Sequence, residues 1–297
     1  MKKLVTKNEV NLLEFLMTDA GYSRTKAKQL FKYRAIFVGS VAVTRHDHRL
    51  SPGDAVSIKS PKETSKEIKS CPGLTVVHAD EAIIVIDKPA GLLTIATDKE
   101  KIKTAYYRLN RCLREWYGSE ERIFIVHRLD RDTSGLLVFA RTETVKHALQ
   151  DNWKEVDKKY AAVVEGVPKE KSRRITSRLY ESKSMRTYAV DNSNKKGRYS
   201  VTNYELVKSA GRYALLEITL ETGRKNQIRV HLADIGHPVA GDKKYGASTD
   251  PCGRLALHAN YLAFVHPVTG ERMEFRARMP AKFNILLGEN TRKRMSP

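Results

Sequence analysis

Cysteine is scarce in this sequence of 297 residues, which contains three cysteines and no CxxC pair. Structural zinc sites and disulfide-rich frameworks need more cysteines at closer spacing. We therefore expect Cys71, Cys112 and Cys252 to be reduced thiols. A chain of about 300 residues buries roughly 75% of its unfolded surface, so a hydrophobic core can stabilise the fold without a metal.

Long hydrophobic runs are also missing. No stretch approaches the ~20 apolar residues of a membrane-spanning helix, and residues 1–7 lack the apolar core of a signal peptide. The sequence therefore predicts a cytoplasmic protein that does not enter a membrane. GxSxG, HExxH and a GxGxxG after a strand are absent as well, so hydrolase elbows, zincins and dinucleotide-binding folds lose their main support in the sequence.

Acidic residues are few relative to basic ones. The 54 lysines and arginines outnumber the 34 aspartates and glutamates and give a formal charge of +20, spread along the chain. Such a charge indicates a polyanionic partner, with nucleic acid as the first candidate and a membrane surface as the alternative.

The first 59 residues alternate short predicted elements. The apolar spacing predicts a helix over residues 9–20, and Ser23 is a suitable N-cap for a second helix. Strands are expected over residues 36–43 and 55–59. The second helix carries five basic residues that we expect to contact RNA: Arg24, Lys26, Lys28, Lys32 and Arg34.

This order of elements resembles the small S-four-type RNA-binding module over about residues 8–59. The module's usual Asn-Gly hairpin is Val38-Gly39 here, which weakens one expected contact. Residues 60–73 are rich in Lys, Ser, Glu and Pro and are predicted to form a linker. We accordingly predict an RNA-binding domain over residues 1–59 and a catalytic domain over residues 74–297.

The central stretch, residues 126–140, places charged residues between two apolar runs that are typical of buried strands. Asp130 lies between Arg128 and Arg131. A cation close to a carboxylate lowers its pKa by roughly 1 to 3 units, which suits a nucleophile or a general base. A solvated turn is the alternative for an isolated aspartate.

Three other places suggest anion binding. Lys88 starts a Pro-Gly loop and is a candidate phosphate contact, with an ordinary surface charge as the alternative. Arg224 precedes a predicted helix N-terminus and Arg229 lies in its first turns, where N–H groups and the helix dipole attract anions. Residues 171–200 are strongly basic and indicate either an RNA-binding surface or a solvated face.

Four motifs occur in order over residues 74–280: His127-Arg128-Leu129-Asp130 with Thr133-Ser134-Gly135, the strand 158–166, Gly223-Arg224 with Gln227-Ile228-Arg229-Val230-His231, and Gly236-His237-Pro238 with Gly241-Asp242. Together they resemble the RluA/RluC/RluD family of pseudouridine synthases. The resemblance implies an α+β fold with a mixed, mainly antiparallel sheet, behind a small N-terminal α/β domain. It also implies that uridine in RNA is converted to its C5-linked isomer without a cofactor.

The resemblance also implies residue roles. Asp130 corresponds to the aspartate that attacks the nucleoside, Arg229 to the arginine that pairs with it, and Tyr160 to the tyrosine that stacks on the base. Further substrate contacts are expected from six residues: Arg128, which holds the base out of the helix, Leu257, which lines the pocket, and His127, Arg224, Gln227 and Lys88. The family often has His where Asn226 stands, which affects a secondary contact.

The predicted function is therefore an RNA pseudouridine synthase. Ribosomal RNA is the first choice of substrate, transfer RNA the second, and pre-ribosomal particles are an expected partner. The alternative is a non-catalytic RNA-binding or ribosome-assembly factor with the same fold. A glycosidase is the third hypothesis, since Asp130 and Asp132 would lie about 7 Å apart on an extended chain, but neighbouring arginines disfavour a general acid.

Overall fold

The computed structural model describes residues 2–32, 35–39, 41–43, 45–58, 70–117, 122–191 and 193–288. The predicted linker falls largely outside these residues, so the domain boundary stays a prediction. Arg34 and the Lys32 side chain lie outside them too. Among the helices within these ranges, none has the length and apolar character needed to span a bilayer.

The N-terminal region forms a small sheet with two helices. Its elements are β1 (Lys2–Val5), β2 (Val10–Asn11), α1 (Leu12–Thr18), α2 (Arg24–Lys32), β3 (Ile36–Val38), β4 (Val41–Ala42), β5 (Arg49–Leu50) and β6 (Ala55–Ile58). The sheet order is β1-β6-β3-β4, and β2 pairs with β5. Ser23 Oγ accepts a hydrogen bond from the Lys26 N–H at 3.3 Å, which confirms the predicted N-cap.

The remainder of the chain is built on one large sheet. Its strands are β7 (Thr75–Ala79), β8 (Ile83–Lys88), β9 (Phe124–Ile125), β10 (Ser134–Ala140), β11 (Asp157–Glu165), β12 (Ser172–Glu181), β13 (Thr187–Val190), β14 (Arg198–Ala210), β15 (Tyr213–Leu220), β16 (Leu257–Val265) and β17 (Arg272–Arg276). Its helices are α3 (Ala105–Tyr117), α4 (Glu143–Asp151), α5 (Gln227–Asp234) and α6 (Ala281–Leu286), with 3-10 turns at Trp153–Glu155 and Lys243–Tyr245.

The strands of this sheet follow the order β13-β12-β14-β15-β11-β16-β10-β8-β7, with β17 beside β16 and β9 beside β10. Strand β10 pairs with β16 in parallel, and the other strand pairs described for this sheet are antiparallel. The predicted α+β class with a mainly antiparallel sheet is confirmed. The parallel pair joins segments more than a hundred residues apart, and it brings the central stretch beside Leu257.

The N-terminal region packs against the large sheet. One apolar cluster contains both Phe31 of α2 and Val138 of β10. At the same junction, Lys26 Nζ donates a hydrogen bond to the Val268 carbonyl at 2.5 Å. The ammonium group of Lys26 therefore helps join the two regions, and its predicted contact with RNA stays a prediction.

The cysteine prediction also needs correction. Cys71 and Cys112 form a disulfide with their Cα atoms 5.8 Å apart, whereas Cys252 is free and buried. The two bonded residues are 41 positions apart in sequence. They meet because Cys71 precedes the first strand of the sheet and α3 packs over that strand, a proximity that sequence spacing does not reveal.

Candidate active site

Asp130 lies in the loop between β9 and β10, and two residues hold that loop in place: Thr94, in the loop after β8, and Lys88, at the end of β8. The Thr94 hydroxyl accepts from the Leu129 N–H at 3.1 Å and donates to the Leu129 carbonyl at 2.7 Å. Both partners are buried, so these bonds are shielded from water. The residue before Asp130 is thereby fixed at both of its backbone polar groups.

Lys88 is the second of these residues and is fully buried. Its ammonium group donates to the carbonyls of Pro89, Leu92 and Arg131 at 3.0, 2.7 and 3.1 Å. Burial lowers the pKa of Lys88 to about 8. Since all three of its donors are used by the backbone, the predicted phosphate contact is wrong, and Lys88 instead ties the loop after β8 to the Asp130 loop.

Beyond the loop, β10 approaches β16 very closely. A Cβ atom on Gly135 would lie 2.2 Å from the Ala259 carbonyl oxygen, and Gly135 has a φ of +116°. The neighbouring Ser134 hydroxyl contacts His258 Nδ1 and accepts from Arg254, both at 2.7 Å. Burial and then the charge of Arg254 lower the pKa of His258 to about 4, so its ring is neutral.

Asp130 lines a cavity of about 640 Å³. Tyr160 of β11, Leu257 of β16 and Arg229 of α5 line the same cavity. The cations in its wall outnumber the anions: they are Arg128, Lys154, Lys158, Arg224, Lys225 and Arg229, against Asp130, Glu181 and Glu221. The structure therefore brings the three predicted catalytic residues together in one basic cleft.

The predicted ion pair between Asp130 and Arg229 is not formed. Among the residues that the structure describes, no side chain forms a salt bridge or hydrogen bond with the Asp130 carboxylate. Arg131, the nearest arginine in sequence, pairs with Asp132 at 3.2 Å. The expected mutual contact is thus wrong for this state, although the charge of Asp130 contributes to raising the pKa of Arg229.

Arg229 is bound instead by Asp242, a buried residue that the predicted set of site residues did not include. The guanidinium donates to the two Asp242 carboxylate oxygens at 2.6 and 2.7 Å and to the Asn226 side-chain oxygen at 3.0 Å. Burial alone would lower the pKa of Arg229, but the hydrogen bonds and charge of Asp242 raise it. The Tyr245 ring lies 5.0 Å from the guanidinium carbon and stacks on it.

Asn226 completes this arrangement. Its backbone is left-handed, with a φ of 55°, at the start of α5. Its side-chain amide donates to the Tyr245 hydroxyl at 3.1 Å, while its oxygen accepts from Arg229. Asparagine tolerates this conformation better than most residues. The departure from the family's usual His therefore leaves a polar contact that positions the arginine.

Tyr160 keeps its proton in this cleft. Burial, followed by the negative charge of Asp130, raises the pKa of Tyr160 well above its usual value. Its ring packs against two apolar clusters. A neutral aromatic ring beside a carboxylate is suited to stacking on a base.

The other predicted substrate residues divide into two groups. Arg128 and Arg224 are exposed at the edge of the cavity, and Leu257 is buried in its wall, where each can meet a substrate. His127 and Gln227 also line the cavity. Nε2 of His127 and both polar atoms of the Gln227 side chain are bound within the protein, and their predicted substrate contacts stay predictions.

His127 Nε2 accepts from the Val138 N–H at 3.1 Å, and burial with the nearby charge of Lys158 lowers the pKa of His127 to about 3. Gln227 accepts from the Thr222 hydroxyl and the Arg224 N–H and donates to Val201 and Thr202. His127 therefore fastens the Asp130 loop to β10, and Gln227 fastens α5 to β14.

Comparison with known proteins identifies the family. The model of the RNA pseudouridylate synthase family matches residues 82–234. This chain belongs to the RNA pseudouridylate synthase family. Among curated proteins it is similar to the uncharacterized RNA pseudouridine synthase YlyB of Bacillus subtilis, with 33% identity over 93% of this chain and 92% of that protein.

A second relative is the ribosomal large subunit pseudouridine synthase D of Zymomonas mobilis, 33% identical over 78% of this chain and 77% of that protein. Among solved structures, human RNA pseudouridylate synthase domain containing 4 shares the fold, with a TM-score of 0.60 and 24% identity over 72% of this chain and 92% of that one. The enzyme is thus an RNA pseudouridine synthase, and the non-catalytic alternative is set aside.

Within the described residues, no three histidine, cysteine or carboxylate side chains are grouped as a metal site would require.

Proposed function

We propose that Asp130 is the nucleophile of this pseudouridine synthase and that its substrate is ribosomal RNA. The observation that carries the first part is the Asp130 carboxylate, which has no partner among the described residues and faces the same cavity as Tyr160, Arg229 and Leu257. A carboxylate without a partner can attack a substrate without first breaking an ion pair.

The target uridine must leave its helix to reach Asp130, at a cost of a few kcal/mol. Stacking on Tyr160 and contact with the buried Leu257 offset part of that cost. Arg128, exposed at the cavity edge, takes the place of the extruded base and holds it out of the helix. Detachment, rotation and rejoining of the uracil through C5 leave the composition of the RNA unchanged.

The choice of ribosomal RNA is supported by the Zymomonas mobilis relative, whose name specifies the large ribosomal subunit. Transfer RNA is the second candidate. Arg24 and Lys28 are exposed on α2, where their side chains can contact RNA phosphates. We place the activity in the cytoplasm, on free ribosomal RNA or pre-ribosomal particles.

Pseudouridine mapping tests this assignment. Ribosomal and transfer RNA are mapped from cells that carry the gene, cells that lack it, and cells that carry Asp130→Asn. The proposal predicts at least one ribosomal pseudouridine that disappears in the second and third strains. Loss of pseudouridine from transfer RNA alone would overturn ribosomal RNA as the proposed substrate. Pseudouridine at the same sites in cells with Asp130→Asn would overturn the proposed role of Asp130.

A further inference from the structure

The hairpin of β12 and β13 carries an unusual density of positive charge. Residues 171–200, which contain both strands and the start of β14, include nine lysines and arginines and two acidic residues. The basic residues at both ends of the hairpin, Lys183, Lys195 and Lys196 among them, are exposed. Such a concentration of cations attracts phosphate groups.

The two faces of this hairpin have different surroundings. Side chains alternate between the faces of a strand, and directly paired residues lie on the same face. Ser177 contacts His231 of α5 at 2.9 Å, and Leu179 packs with Val230 of α5. These contacts define the inner face, which α5 covers.

Three tyrosines lie on the opposite, outer face. Tyr180 pairs with Tyr188 across β12 and β13, and Arg178 pairs with Tyr199 across β12 and β14. Tyr188 and Tyr199 are 42% and 49% exposed, which is high for aromatic side chains on a sheet. We call Tyr180, Tyr188 and Tyr199 together with Arg178 the outer tyrosine face.

Arg186 links this face to the active site. Its guanidinium carbon lies 5.5 Å from the Tyr188 ring on one side and 5.6 Å from the Tyr245 ring on the other. Tyr245 stacks on Arg229, and Glu181, at the end of β12, lines the cavity. A single-stranded RNA that leaves the cavity can therefore pass Arg186 at the edge of the hairpin and reach the outer tyrosine face.

We infer that the outer tyrosine face binds an unpaired stretch of the substrate RNA that flanks the target uridine. The inference rests on the RNA substrate of the proposed function. Bases stack on tyrosine rings without sequence preference, while the surrounding lysines and arginines contact phosphates. The charge favours RNA over a protein partner, for which an apolar centre with fewer cations is typical.

The test compares five variants with the wild type. Tyr188→Ala and Tyr199→Ala remove stacking rings, and the corresponding Phe variants keep them. Tyr107→Ala is the matched control, because Tyr107 of α3 is also 42% exposed but lies outside this face. Affinity is measured by fluorescence anisotropy with a single-stranded oligouridine, and folding of each variant is checked by its melting temperature.

Each Ala variant is expected to bind oligouridine about 5- to 150-fold more weakly, since stacking contributes about 1 to 3 kcal/mol per base. The Phe variants and Tyr107→Ala should bind like the wild type. Unchanged affinity in the Ala variants would overturn the inference and leave a protein as the partner of this face. Equal loss in the Phe variants or in Tyr107→Ala would overturn it as well.

Turnover separates this inference from the proposed function. On an unmodified ribosomal RNA transcript, the Ala variants should raise KM and keep kcat, because the tyrosines lie on the side of the sheet away from Asp130. A fall in kcat at unchanged KM would contradict an RNA-binding role. Absence of pseudouridine with the wild-type enzyme would instead count against the proposed ribosomal substrate.

Discussion

At the scale of single residues, Arg229 is held by Asp242 and not by Asp130, the partner that the sequence predicts. Arginine has five N–H donors. Three N–H groups of Arg229 donate to Asp242 and Asn226, which leaves one N–H on each terminal nitrogen without a partner among the described residues. These two donors remain for Asp130 or for a uracil carbonyl. Asp242 thus positions Arg229 and leaves the Asp130 carboxylate available.

Asp242→Asn tests this positioning role. The variant should lower kcat by about 10²-fold, because a small displacement of a catalytic group has that effect. It should also lower stability, since breaking a buried pair costs about 3 to 5 kcal/mol. Single-turnover rates with ribosomal RNA measure the first effect, and urea unfolding measures the second.

The control is the double variant with Arg229→Gln. If Asp242 acts through Arg229, the double variant should be no slower than Arg229→Gln alone, because residues that act as a unit are not additive. The double variant should also be more stable than Asp242→Asn alone, since no unpaired guanidinium stays buried. Additive losses in kcat would show that Asp242 acts by another route.

Sequence reasoning placed Asp130, Tyr160 and Arg229 correctly in one cleft, because each lies in a motif that resembles a known family. It misassigned Lys88, whose partners are backbone carbonyls in two loops that only the fold brings together. Asp242 was visible in the Gly-Asp motif, yet its role depends on a turn folding against α5. Burial and hydrogen-bond partners, the properties that decided these cases, are not visible in a sequence.

At the scale of elements, the parallel pairing of β10 with β16 fixes the Asp130 loop against Leu257. Gly135 permits this pairing, since its φ is +116° and the Ala259 backbone fills the space where a side chain would start. The sequence predicted β10 from its apolar run, but not its partner strand. Pairing between distant segments depends on the whole sheet.

Gly135→Ala is expected to lower the free energy of unfolding by about 2 to 6 kcal/mol, from backbone strain together with overpacking. Gly91→Ala is the control, because Gly91 also has a positive φ, +80°, but has no atom within 4 Å of an added Cβ. Urea unfolding compares the two variants. Equal losses would mean that strain alone, and not the close approach of β16, decides the effect.

At the scale of the whole molecule, several histidines are buried in neutral form. Burial lowers the pKa of His231 to about 4, and burial with the charge of Arg254 does the same for His258. An unfolded chain binds protons at these histidines below about pH 6.5, whereas the folded protein does not until about pH 4. The stability that comes from keeping these two histidines neutral is therefore fully present above about pH 6.5, and it is lost as the pH falls towards 4.

The free energy of unfolding should drop between pH 6.5 and 4 by about 1.4 kcal/mol per pH unit for each of these two histidines. Urea unfolding at a series of pH values measures the slope. His231→Gln should show a shallower slope than the wild type over this range. A slope unchanged by the substitution would mean that His231 is protonated in the folded protein.

The whole chain also carries a charge of +20, which predicts a polyanionic partner with nucleic acid as the first candidate. The fold concentrates part of that charge around the cavity and on the hairpin of β12 and β13. The sequence could not indicate that Lys26 would instead join the N-terminal region to the large sheet. Net charge predicts the class of partner, and only the fold assigns individual cations to it.

The most direct test of the account is pseudouridine formation in vitro by Asp130→Asn and Asp132→Asn on an unmodified ribosomal RNA transcript. Both aspartates lie in one loop, but Asp132 pairs with Arg131 while the Asp130 carboxylate has no partner among the described residues. The account predicts no product with Asp130→Asn and near wild-type product with Asp132→Asn. Product from Asp130→Asn, or its loss from Asp132→Asn alone, would contradict it.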